Sequence, residues 1–533
     1  MSAPSDAIFL GLDSSTQGLK AAAVDSRLQV IAEFAVNYDA DLPEYKTQGG
    51  VHRGPDGLTV TSPPILWAAA LDILFDRMKK AAFPFARVAA VSGSGQQHGS
   101  VFFREGARDT LTGLRHDTPL KQQLKDAFAV AESPIWMDSS TTAQCREREA
   151  ALGGPQAVAD LTGSRAYERF TGNQIAKIFQ TQQAGDNATE RIALVSSYIA
   201  SLLLGDYAPI DTSDGSGMNL MNIRTRDWAP AALAITAPGL EPKLGPIVPG
   251  HKVIGKLHRS FVERCGFAPS CLLISFSGDN PNSLAGLRLE HPGDIAISLG
   301  TSDTVFAALA EPKPSASEGH IFANPVDPAG YMALLCYKNG SLTREDIRDK
   351  AAKKSWKEFS AALGRTSPGN GGHIGFYLKE PEITPPILRT GTFRFGPDDR
   401  PVNAFAADVD VRAVVEGQFV SMRLHAGNIG IRPAKILATG GASANPAILR
   451  VMSNVFGVPV FTGDQPNSAA LGAAYRALHG WVCEKEARFV PFGEVMQGAP
   501  AFTRAVEPDQ RAHAAYTALV PRYAHLEQHV SGT

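Results

Sequence analysis

The chain has 533 residues, of which 44% are hydrophobic and 20% charged, and its formal net charge is −2. This composition predicts a soluble globular protein that is too long for one ordinary core and therefore has at least two domains. The balanced charge excludes the basic footprint of a nucleic-acid-binding protein, and no apolar run is long enough to span a bilayer.

The five cysteines are scattered along the chain and form no CxxC motif. An odd, dispersed set is typical of buried thiols in a reducing compartment and not of a disulfide framework or a zinc site. Residues 1–6 contain neither the charged region nor the apolar stretch of a secretory signal. The sequence therefore predicts a cytoplasmic protein.

The first polar turn of the chain follows a short apolar strand. This strand is predicted at 8–13 and ends in Asp13, and the turn that follows reads Ser-Ser-Thr-Gln-Gly at 14–18. Two more strands are predicted at 19–24 and 29–34, so that the segment forms a three-stranded meander. Taken alone, the turn could be no more than a hairpin connection.

The same pattern recurs in the second half of the chain. A strand is predicted at 294–299, a turn of small residues at 300–303, and a returning strand at 304–309. Backbone N–H groups and small hydroxyls can hold phosphates without side-chain bulk. The recurrence therefore predicts duplicated domains, each of which offers a phosphate-holding hairpin to a shared cleft.

A carboxylate lies just before this second hairpin. Asp279 follows an apolar strand predicted at 271–276 and precedes Pro281, which is predicted to open a helix. Phosphoryl transfer needs a carboxylate that accepts the proton of the acceptor hydroxyl. Asp279 is therefore the candidate base of a phosphotransferase.

Other polar residues are candidates for substrate binding. A strand is predicted at 87–91, and the glycines that follow it are predicted to form a tight turn that leaves Gln97 and His98 at the strand's end, where open α/β sheets bind ligands. Arg169 lies on a loop, where an arginine is usually solvated. The segment 210–218 is predicted to be a loop in which Asp211 and Asp214 are turn-forming residues.

The C-terminal half contains a candidate nucleotide site. A strand at 434–438 leads into Thr-Gly-Gly at 439–441, and a helix is predicted at 446–456. Such glycines permit close approach of the backbone, and the N-terminus of the helix favours anions. A strand is also predicted at 134–138, and 380–403 is predicted to be an irregular surface excursion.

Taken together, these elements resemble the FGGY family of sugar kinases over nearly the whole chain. The first phosphate motif matches at 12–18, the second at 298–302 and the adenosine motif at 437–442. The stretches that resemble the branch of the family acting on D-xylulose lie at 45–52, 95–100, 136–145, 161–174, 277–281 and 339–342.

The resemblance implies an α/β fold with two actin-like (ribonuclease H-like) ATPase domains and an active-site cleft between them. The domain that binds the sugar is expected at 1–284 and the domain that binds ATP at 285–533, with a terminal helix from about 509. The implied reaction phosphorylates D-xylulose with ATP in the presence of Mg²⁺, and the expected assembly is a monomer or a homodimer.

The resemblance also implies roles for particular residues. Asp279 is expected to be the general base, and the expected ketose ligands are His98, Arg169, Asp279 and Asn280. The residues expected to bind the nucleotide are Asp13, Thr16, Gln17, Gly300, Thr301, Trp356, Gly440, Gly441 and Asn445. Asp13 is also expected to orient the magnesium ion.

Three stretches depart from the broad family: 375–385, 450–454 and the residues near Asn467. They spare Asp279 but weaken any nucleotide contact transferred from bacterial members. Two alternatives stay open at this point. One is a sister kinase for another ketose or polyol, such as ribulose or glycerol. The other is an ATP-binding switch on the same architecture, which would hydrolyse ATP slowly without stimulation by sugar.

Overall fold

The structure is a computed structural model that describes residues 4–463 and 467–532. The chain forms two compact units. Unit 1 comprises Met1–Glu290, Phe322–Tyr331 and Asn467–Pro500, and unit 2 comprises His291–Ile321, Met332–Pro466 and Ala501–Thr533. Residues 467–500, which the family resemblance predicts to lie in the C-terminal domain, belong to unit 1.

The strands, in chain order, are β1 (Ile8–Ser14), β2 (Gly18–Asp25), β3 (Val30–Asn37), β4 (His52–Arg53), β5 (Val60–Ser62), β6 (Val88–Gly95), β7 (Ser100–Arg104), β8 (Ser133–Pro134), β9 (Thr189–Leu194), β10 (Ile210–Asp211), β11 (Ile247–Val248), β12 (Val253–Lys256), β13 (Leu272–Ile274), β14 (Ser277–Gly278), β15 (Asp294–Leu299), β16 (Asp303–Leu309), β17 (His320–Ala323), β18 (Tyr331–Tyr337), β19 (Ile374–Leu378), β20 (Gly391–Phe395), β21 (Lys435–Thr439), β22 (Val460–Thr462) and β23 (Thr503–Val506).

The helices, in chain order, are α1 (Tyr38–Asp41), α2 (Pro64–Lys80), α3 (Ala107–Thr112), α4 (Leu120–Gln123), α5 (Thr142–Leu152), α6 (Pro155–Thr162), α7 (Thr171–Thr181), α8 (Gln183–Asn187), α9 (Val195–Leu204), α10 (Thr212–Gly215), α11 (Pro230–Ala234), α12 (Leu240–Leu244), α13 (Arg259–Cys265), α14 (Asp279–Gly286), α15 (Ser341–Ala351), α16 (Trp356–Arg365), α17 (Ala407–Asn428), α18 (Pro446–Phe456), α19 (Ser468–Glu486), α20 (Phe492–Val495) and α21 (Gln510–Ser531). Short 3₁₀ turns occupy Pro43–Tyr45, Phe85–Arg87, Ser216–Met218, Asn370–Gly372 and Gly441–Ala444.

The main sheet of unit 1 runs in the order β12–β13–β6–β1–β2–β3, and β14 pairs with the end of β6. Strand β1 is antiparallel to β2 and parallel to β6, so that the predicted meander forms one side of the sheet. The turn between β1 and β2 is the predicted polar turn, and it lies at the same sheet edge as the end of β6 because Ser14 pairs with Gly95. This register brings Asp13 beside Ser94.

The glycines after residue 91 do not form the turn predicted from the sequence. Strand β6 continues through Gly95 and pairs with β1 over its whole length. A Cβ atom on Gly93 would lie 2.1 Å from the ring of Phe276, and one on Gly95 would lie 2.4 Å from the backbone nitrogen of Ser196. The glycines are therefore needed for close packing on both sides of a strand, and the turn begins only at Gln96.

Helix α19 packs directly against the backbone of β1 and of α14. A Cβ atom on Gly11 of β1 would lie 2.0 Å from the carbonyl oxygen of Ala470. A Cβ atom on Gly472 would lie 1.8 Å from the carbonyl oxygen of Asn282. Helix α19 thus lies in backbone contact with the strand that contains Asp13 and with the helix that begins at Asp279.

Unit 2 repeats the strand–turn–strand pattern. Its sheet contains the path β18–β16–β15–β21–β22–β23, in which β15 is antiparallel to β16 and parallel to β21. Leu299 pairs with Asp303, so that a three-residue turn, Gly300–Ser302, connects the two strands. The recurrence predicted from the sequence is confirmed, and β21 leads into the predicted Gly-Gly turn and helix α18.

Three other sequence predictions were wrong. The strand expected at 134–138 is limited to the two residues of β8, because Asp138 instead accepts a hydrogen bond from the backbone of Val60. The excursion at 380–403 contains strand β20, which pairs with β19. The loop expected at 210–218 forms β10 and α10, where the side chain of Asp211 caps the helix by accepting the N–H of Asp214.

No helix in the described parts of the chain combines the length and the apolar character that a membrane crossing requires. The apolar faces of the longer helices are instead used in packing. Helix α17, for example, buries Val414, Val415 and Phe419, as the spacing of its apolar residues predicts.

Unit 2 contains a buried histidine between two glutamates. His425 Nδ1 lies 2.6 Å from Glu318 Oε2, and His425 Nε2 lies 2.9 Å from Glu527 Oε2. Burial alone lowers the pKa of the imidazole, but the hydrogen bonds and charges of the two glutamates outweigh it and raise the pKa to about 9. The protonated ring therefore joins α17 to the C-terminal helix α21.

We expect His425→Gln to lower the free energy of unfolding at pH 7 by roughly 3 kcal/mol, because it leaves two buried carboxylates without a cation. The folded pKa lies above the unfolded value of 6.5, so this contribution is fully present below pH 6.5 and is lost as the pH rises through about 9. The midpoint of thermal unfolding, measured from pH 6 to 10, should therefore differ most between wild type and variant at low pH.

His116→Gln serves as the control, because His116 forms an exposed pair with Glu263 at 2.9 Å. Its effect should stay within about 0.5 kcal/mol at every pH. Parallel pH curves for the wild type and His425→Gln would contradict the charged state assigned to His425.

Candidate active site

The candidate residues predicted from the sequence fall into two groups, one in each unit. The group in unit 1 consists of Asp13, Thr16, Gln17, His98, Arg169, Asp279 and Asn280. The group in unit 2 consists of Gly300, Thr301, Trp356, Gly440, Gly441 and Asn445.

Asp279 is the first residue of α14 and is half-buried. Its Oδ1 accepts hydrogen bonds from the backbone N–H of Gln97 at 3.2 Å and of Asn280 at 2.9 Å. The side-chain amide of Asn280 also donates to Oδ1, at 3.2 Å. All of these bonds involve one oxygen, which leaves Oδ2 of Asp279 for other interactions.

The environment of Asp279 makes its carboxylate an effective proton acceptor. Burial raises the pKa, and the negative charge of Asp13 raises it further, whereas the backbone hydrogen bonds lower it. The resulting pKa is about 7. A general base works best when its pKa lies near the operating pH, so the carboxylate is suited to remove a proton from a hydroxyl group.

Gln97 contacts Asp279 and Asn280, although the family resemblance implies no role for it. Its backbone N–H contacts Asp279, and its Oε1 accepts a hydrogen bond from Asn280 Nδ2 at 2.9 Å. Gln97 is therefore connected to the side chains of both residues that open α14. The Gln-Gln-His run after a strand was the available signal, but nothing in the sequence shows that this run meets residue 279.

Asp13 lies at the end of β1, beside the phosphate-type turn. Ser94 Oγ donates to Asp13 Oδ1 at 2.6 Å, and the hydroxyl of Ser15 donates to Oδ2. Burial raises the pKa of Asp13, while these hydrogen bonds and the charge of Lys20 lower it. Among the described residues, no group of three or more His, Cys, Asp or Glu side chains is arranged to hold a metal ion.

The turn itself is held by aromatic residues. Trp136 Nε1 donates to Thr16 Oγ1 at 2.8 Å, and the backbone N–H of Tyr38 donates to the carbonyl of Gln17 at 3.0 Å. The indole of Trp136 remains 44% exposed, which is unusual for so large an apolar side chain. The sequence predicts Trp136 to lie in a strand, and no sequence pattern indicates its contact with Thr16.

His98 adopts a left-handed backbone conformation with φ 71° and is buried. Its Nδ1 lies 2.8 Å from the carbonyl oxygen of Gly217, which can only accept a hydrogen bond. Burial and the charge of Arg169 lower the pKa of His98 to about 3, so the ring is neutral. Because Nδ1 carries the proton, Nε2 has a lone pair that can accept a hydrogen bond from a hydroxyl group.

Phe170 fixes the plane of the His98 ring and also contacts Arg169. The two aromatic rings stack with their centroids 4.4 Å apart. The guanidinium of Arg169 lies 5.7 Å from the centre of the Phe170 ring and 5.1 Å from that of Tyr167. The structure thus brings His98 and Arg169 together beside Tyr167 and Phe170, two aromatic residues that were not among those predicted to form the site.

In unit 2, the second turn exposes its backbone next to a rigid support. Gly300 accepts the N–H of Ser341 at 2.9 Å, and Thr301 is exposed. Asp303, which follows the turn, forms a buried pair with Arg344, with contacts of 2.6 and 2.9 Å. The pair fixes the return strand of the hairpin against α15.

An open cavity of about 520 Å³ lies between α15, α16 and the Gly-Gly turn. Trp356, Gly441 and Asn445 line it, together with side chains from Glu345 and Ser360. Trp356 is 37% exposed, and its ring packs edge-on against Phe359, 5.2 Å between centroids. The cavity is large enough for a nucleoside and presents one aromatic face, as ligand sites commonly do.

Local geometry explains the Gly-Gly pair and Asn445. Gly440 has φ 80°, and a Cβ atom there would lie 2.6 Å from the carbonyl oxygen of Leu299, so that only glycine fits. Asn445 caps α18 through Oδ1, which accepts the N–H of Ala447 at 3.0 Å. Its amide also donates to Ser360 Oγ at 3.0 Å, which ties the cap to α16.

Unit 1 therefore contains a carboxylate suited to proton abstraction beside polar and aromatic groups. Unit 2 contains a backbone turn followed by a nucleoside-sized cavity. These are the components that phosphoryl transfer to a polyhydroxy acceptor requires.

Two family models match most of the chain. The N-terminal domain of the FGGY family of carbohydrate kinases matches residues 8–286, and its C-terminal domain matches residues 295–481. The chain is 54% identical to xylulose kinase from Mus musculus over 527 residues, which cover 98% of this chain and 94% of the mouse protein.

Solved structures of lower identity share the fold. Xylulose kinase from Lactobacillus acidophilus superposes with a TM-score of 0.80 at 19% identity, covering 99% of both chains. Gluconate kinase from the same organism has the same TM-score and identity and covers 99% of this chain and 98% of its own. The fold alone therefore does not select the sugar. The models that match both halves of the sequence show that this chain belongs to the FGGY family of carbohydrate kinases.

Proposed function

We propose that this chain phosphorylates D-xylulose with ATP and releases D-xylulose 5-phosphate and ADP. The similarity to xylulose kinases over nearly the full length of the chain carries this proposal. The half-buried carboxylate of Asp279, with a pKa near 7, supplies the chemistry that the reaction needs.

In this proposal Asp279 is the general base. Its carboxylate accepts the proton of the O5 hydroxyl of the sugar as that oxygen attacks the γ-phosphorus of ATP. The new bond joins O5 to phosphorus, and the bond between the γ-phosphorus and the β–γ bridging oxygen breaks to release ADP. The backbone N–H groups on Oδ1 hold the carboxylate in place, so that Oδ2 is the oxygen that receives the proton.

The ketose is bound by the polar groups of unit 1. His98 accepts a hydrogen bond from a sugar hydroxyl at Nε2, because Nδ1 donates its proton to the carbonyl oxygen of Gly217. Asn280 and Arg169 donate to other hydroxyls. A neutral His98 does not compete with Asp279 for the transferred proton, which keeps the roles of binding and catalysis separate.

The nucleotide is bound by both turns and by the cavity of unit 2. Trp356 stacks on the adenine, and Gly440, Gly441 and Asn445 lie beside the nucleoside. The backbone of Gly300 and Thr301, together with Thr16 and Gln17, holds phosphate oxygens.

Magnesium fits the residues present. Mg²⁺ is usually held by one or two carboxylates together with substrate phosphates and water, and Asp13 is such a carboxylate at the phosphate-type turn of unit 1. When bound, the ion neutralises charge on the phosphate oxygens. A cytoplasmic setting and an assembly of one or two copies stay predictions from the sequence.

The substrate is tested by measuring ADP release with ATP and Mg²⁺ across D-xylulose, L-xylulose, D-ribulose, L-ribulose, glycerol and no acceptor. We expect kcat/KM for D-xylulose to exceed that for each other acceptor by about a hundredfold or more, because unmatched hydroxyls leave buried polar groups unpaired. A higher kcat/KM for another acceptor would show that D-xylulose is not the preferred substrate. ADP release that does not depend on any acceptor would favour the ATP-binding switch.

We expect Asp279→Asn to lower kcat by about 10²- to 10⁴-fold, because the amide keeps the shape of the side chain but cannot accept the proton. Binding of D-xylulose, measured by titration calorimetry, should persist. Turnover within a few-fold of the wild type would exclude Asp279 as the base.

Asp72→Asn is the matched control for that substitution. Asp72 is also buried in unit 1, but it interacts with Arg264 and with the backbone N–H of Leu120 and has no part in the proposed site. Its kcat should remain close to that of the wild type at temperatures where both proteins are folded.

We expect Trp356→Ala to raise KM for ATP by the equivalent of about 1–3 kcal/mol, the typical value of stacking between a base and an aromatic ring. KM for D-xylulose should change little. Leu388→Ala provides the control, since Leu388 is 83% exposed in the same unit and lies outside the cavity. An unchanged KM for ATP in Trp356→Ala would place the nucleoside elsewhere.

A further inference from the structure

The segment that carries Asp279 is attached to a buried ion pair on both sides of the carboxylate. Two residues before it, Ser277 Oγ donates to Asp211 Oδ1 at 2.6 Å. Three residues after it, Asn282 Oδ1 accepts a hydrogen bond from Arg476 Nη1 at 2.9 Å. Arg476 Nη2 in turn lies 3.2 Å from Asp211 Oδ2, which closes the network.

The guanidinium of Arg476 makes further contacts with the backbone of unit 1. Its Nη2 lies 2.9 Å from the carbonyl oxygen of Gly250 and 3.1 Å from that of Ser275. Arg476 and Asn282 are fully buried, and Asp211 is 1% exposed. The planar fork of an arginine suits such a site, because several donors are fixed relative to one another.

The network also extends to the strands beneath the site. Asn282 Nδ2 donates to the carbonyl of Gly93 in β6 at 3.1 Å. Asp211 also caps α10 by accepting the N–H of Asp214 at 2.8 Å, and a Cβ atom on Gly278, the residue before Asp279, would lie 2.7 Å from Oδ1 of Asp214. Arg476 therefore connects α19, β6, β10 and α14, the elements that surround the carboxylate.

Stability alone is a weak reason for this arrangement. A buried ion pair loses much of its attraction to the cost of desolvation, and apolar residues of similar volume are often as stable. Helices α19 and α14 are already in backbone contact at Gly472. The ion pair additionally holds the side chains of Ser277 and Asn282, which flank Asp279, in one orientation.

We propose that Arg476, paired with Asp211, is a positioning residue that sets the orientation of the Asp279 carboxylate. The proposal rests on the role of Asp279 as the base in the proposed function. Arg476 and Asp211 act through Asn282 and Ser277, to which they are hydrogen-bonded on either side of Asp279. Since misplacement of a catalytic group by about 1 Å can cost about a hundredfold in rate, loss of the network should appear mainly in kcat.

The test compares Arg476→Met with Arg412→Met in the full-length enzyme. Arg412 forms a similarly buried pair with Glu416 in unit 2, at 2.9 Å, and also holds the backbone of Thr366. We expect Arg476→Met to lower kcat by about 10- to 100-fold while KM for D-xylulose and for ATP stays within about threefold. Arg412→Met should lower thermal stability but leave kcat of the folded enzyme within about twofold.

A second comparison separates positioning from a general loss of structure. In the Asp279→Asn background, Arg476→Met should lower the residual kcat by less than about twofold, because residues that act as a unit are not additive. A further loss equal to that in the wild-type background would overturn the proposal. Unchanged kcat of Arg476→Met, or a change confined to KM, would overturn it as well.

Asp211→Asn provides the test if Arg476→Met does not fold. It removes the charge of the pair but keeps an oxygen that can accept from Ser277, and kcat should again fall by about tenfold or more with KM nearly unchanged. A wild-type kcat in Asp211→Asn would overturn the positioning role.

The outcomes distinguish this inference from the proposed function. If Asp279→Asn retains near-normal turnover, the assignment of the base fails, and the role of Arg476 fails with it. If Asp279→Asn loses turnover while Arg476→Met does not, only the positioning role fails.

Discussion

Unit 1 depends on the close contact of helix α19 with strand β1 and helix α14. At Gly11 and Gly472 the backbones approach so closely that a single methyl group would overlap a carbonyl oxygen. Protein interiors packed at this density do not deform continuously, so the contact with α19 fixes the position of β1 relative to α14. Because Asp13 is the next-to-last residue of β1 and Asp279 is the first residue of α14, this contact sets where the two carboxylates lie. The stretch that provides the contact, 468–486, is far from both in the sequence.

The position of Asp279 accounts for its electrostatics. A carboxylate at the N-terminus of a helix is usually stabilised in its charged form, and the N–H groups of Gln97 and Asn280 act in that direction. Burial and the nearby charge of Asp13 act in the opposite direction and prevail, which raises the pKa to about 7. The pKa of His98 shifts in the opposite direction, because burial and the positive charge of Arg169 lower it and keep the ring neutral. The site thus separates one group suited to accept a proton from another suited to accept a hydrogen bond.

Both units contain the same type of β-hairpin, but the side chains around it differ. In each, a strand leads into a three-residue turn of small polar residues and returns antiparallel, while a parallel strand supports it from the other side. Unit 1 supports its turn with Trp136 and Tyr38 and places carboxylates beside it. Unit 2 supports its turn with the buried pair of Asp303 and Arg344 and follows it with a cavity bounded by Trp356. The shared hairpin is general, and the surrounding side chains give each unit its chemistry.

The local elements and the resemblance to the family could be predicted from the amino-acid sequence alone. Apolar runs, helical spacing and the recurring turn predicted both hairpins, helices α17, α18 and α21, and the Gly-Gly turn, because these features depend on neighbours within a few residues. Asp279 could be selected for the same reason, since it lies between an apolar strand and a proline.

Contacts between residues that are distant in the sequence depend on the packing of the whole chain. Gly93 reads as a turn residue in sequence, yet it lies within a strand because the ring of Phe276 packs against it. The sequence predicts Asp211 to be a turn-forming residue, yet its carboxylate is paired with Arg476, which lies 265 residues further along the chain. Gln97 and Trp136 likewise join the site through contacts that local periodicity does not encode. These outcomes depend on which backbones approach closely and which charges are buried together, and both are properties of the packed chain.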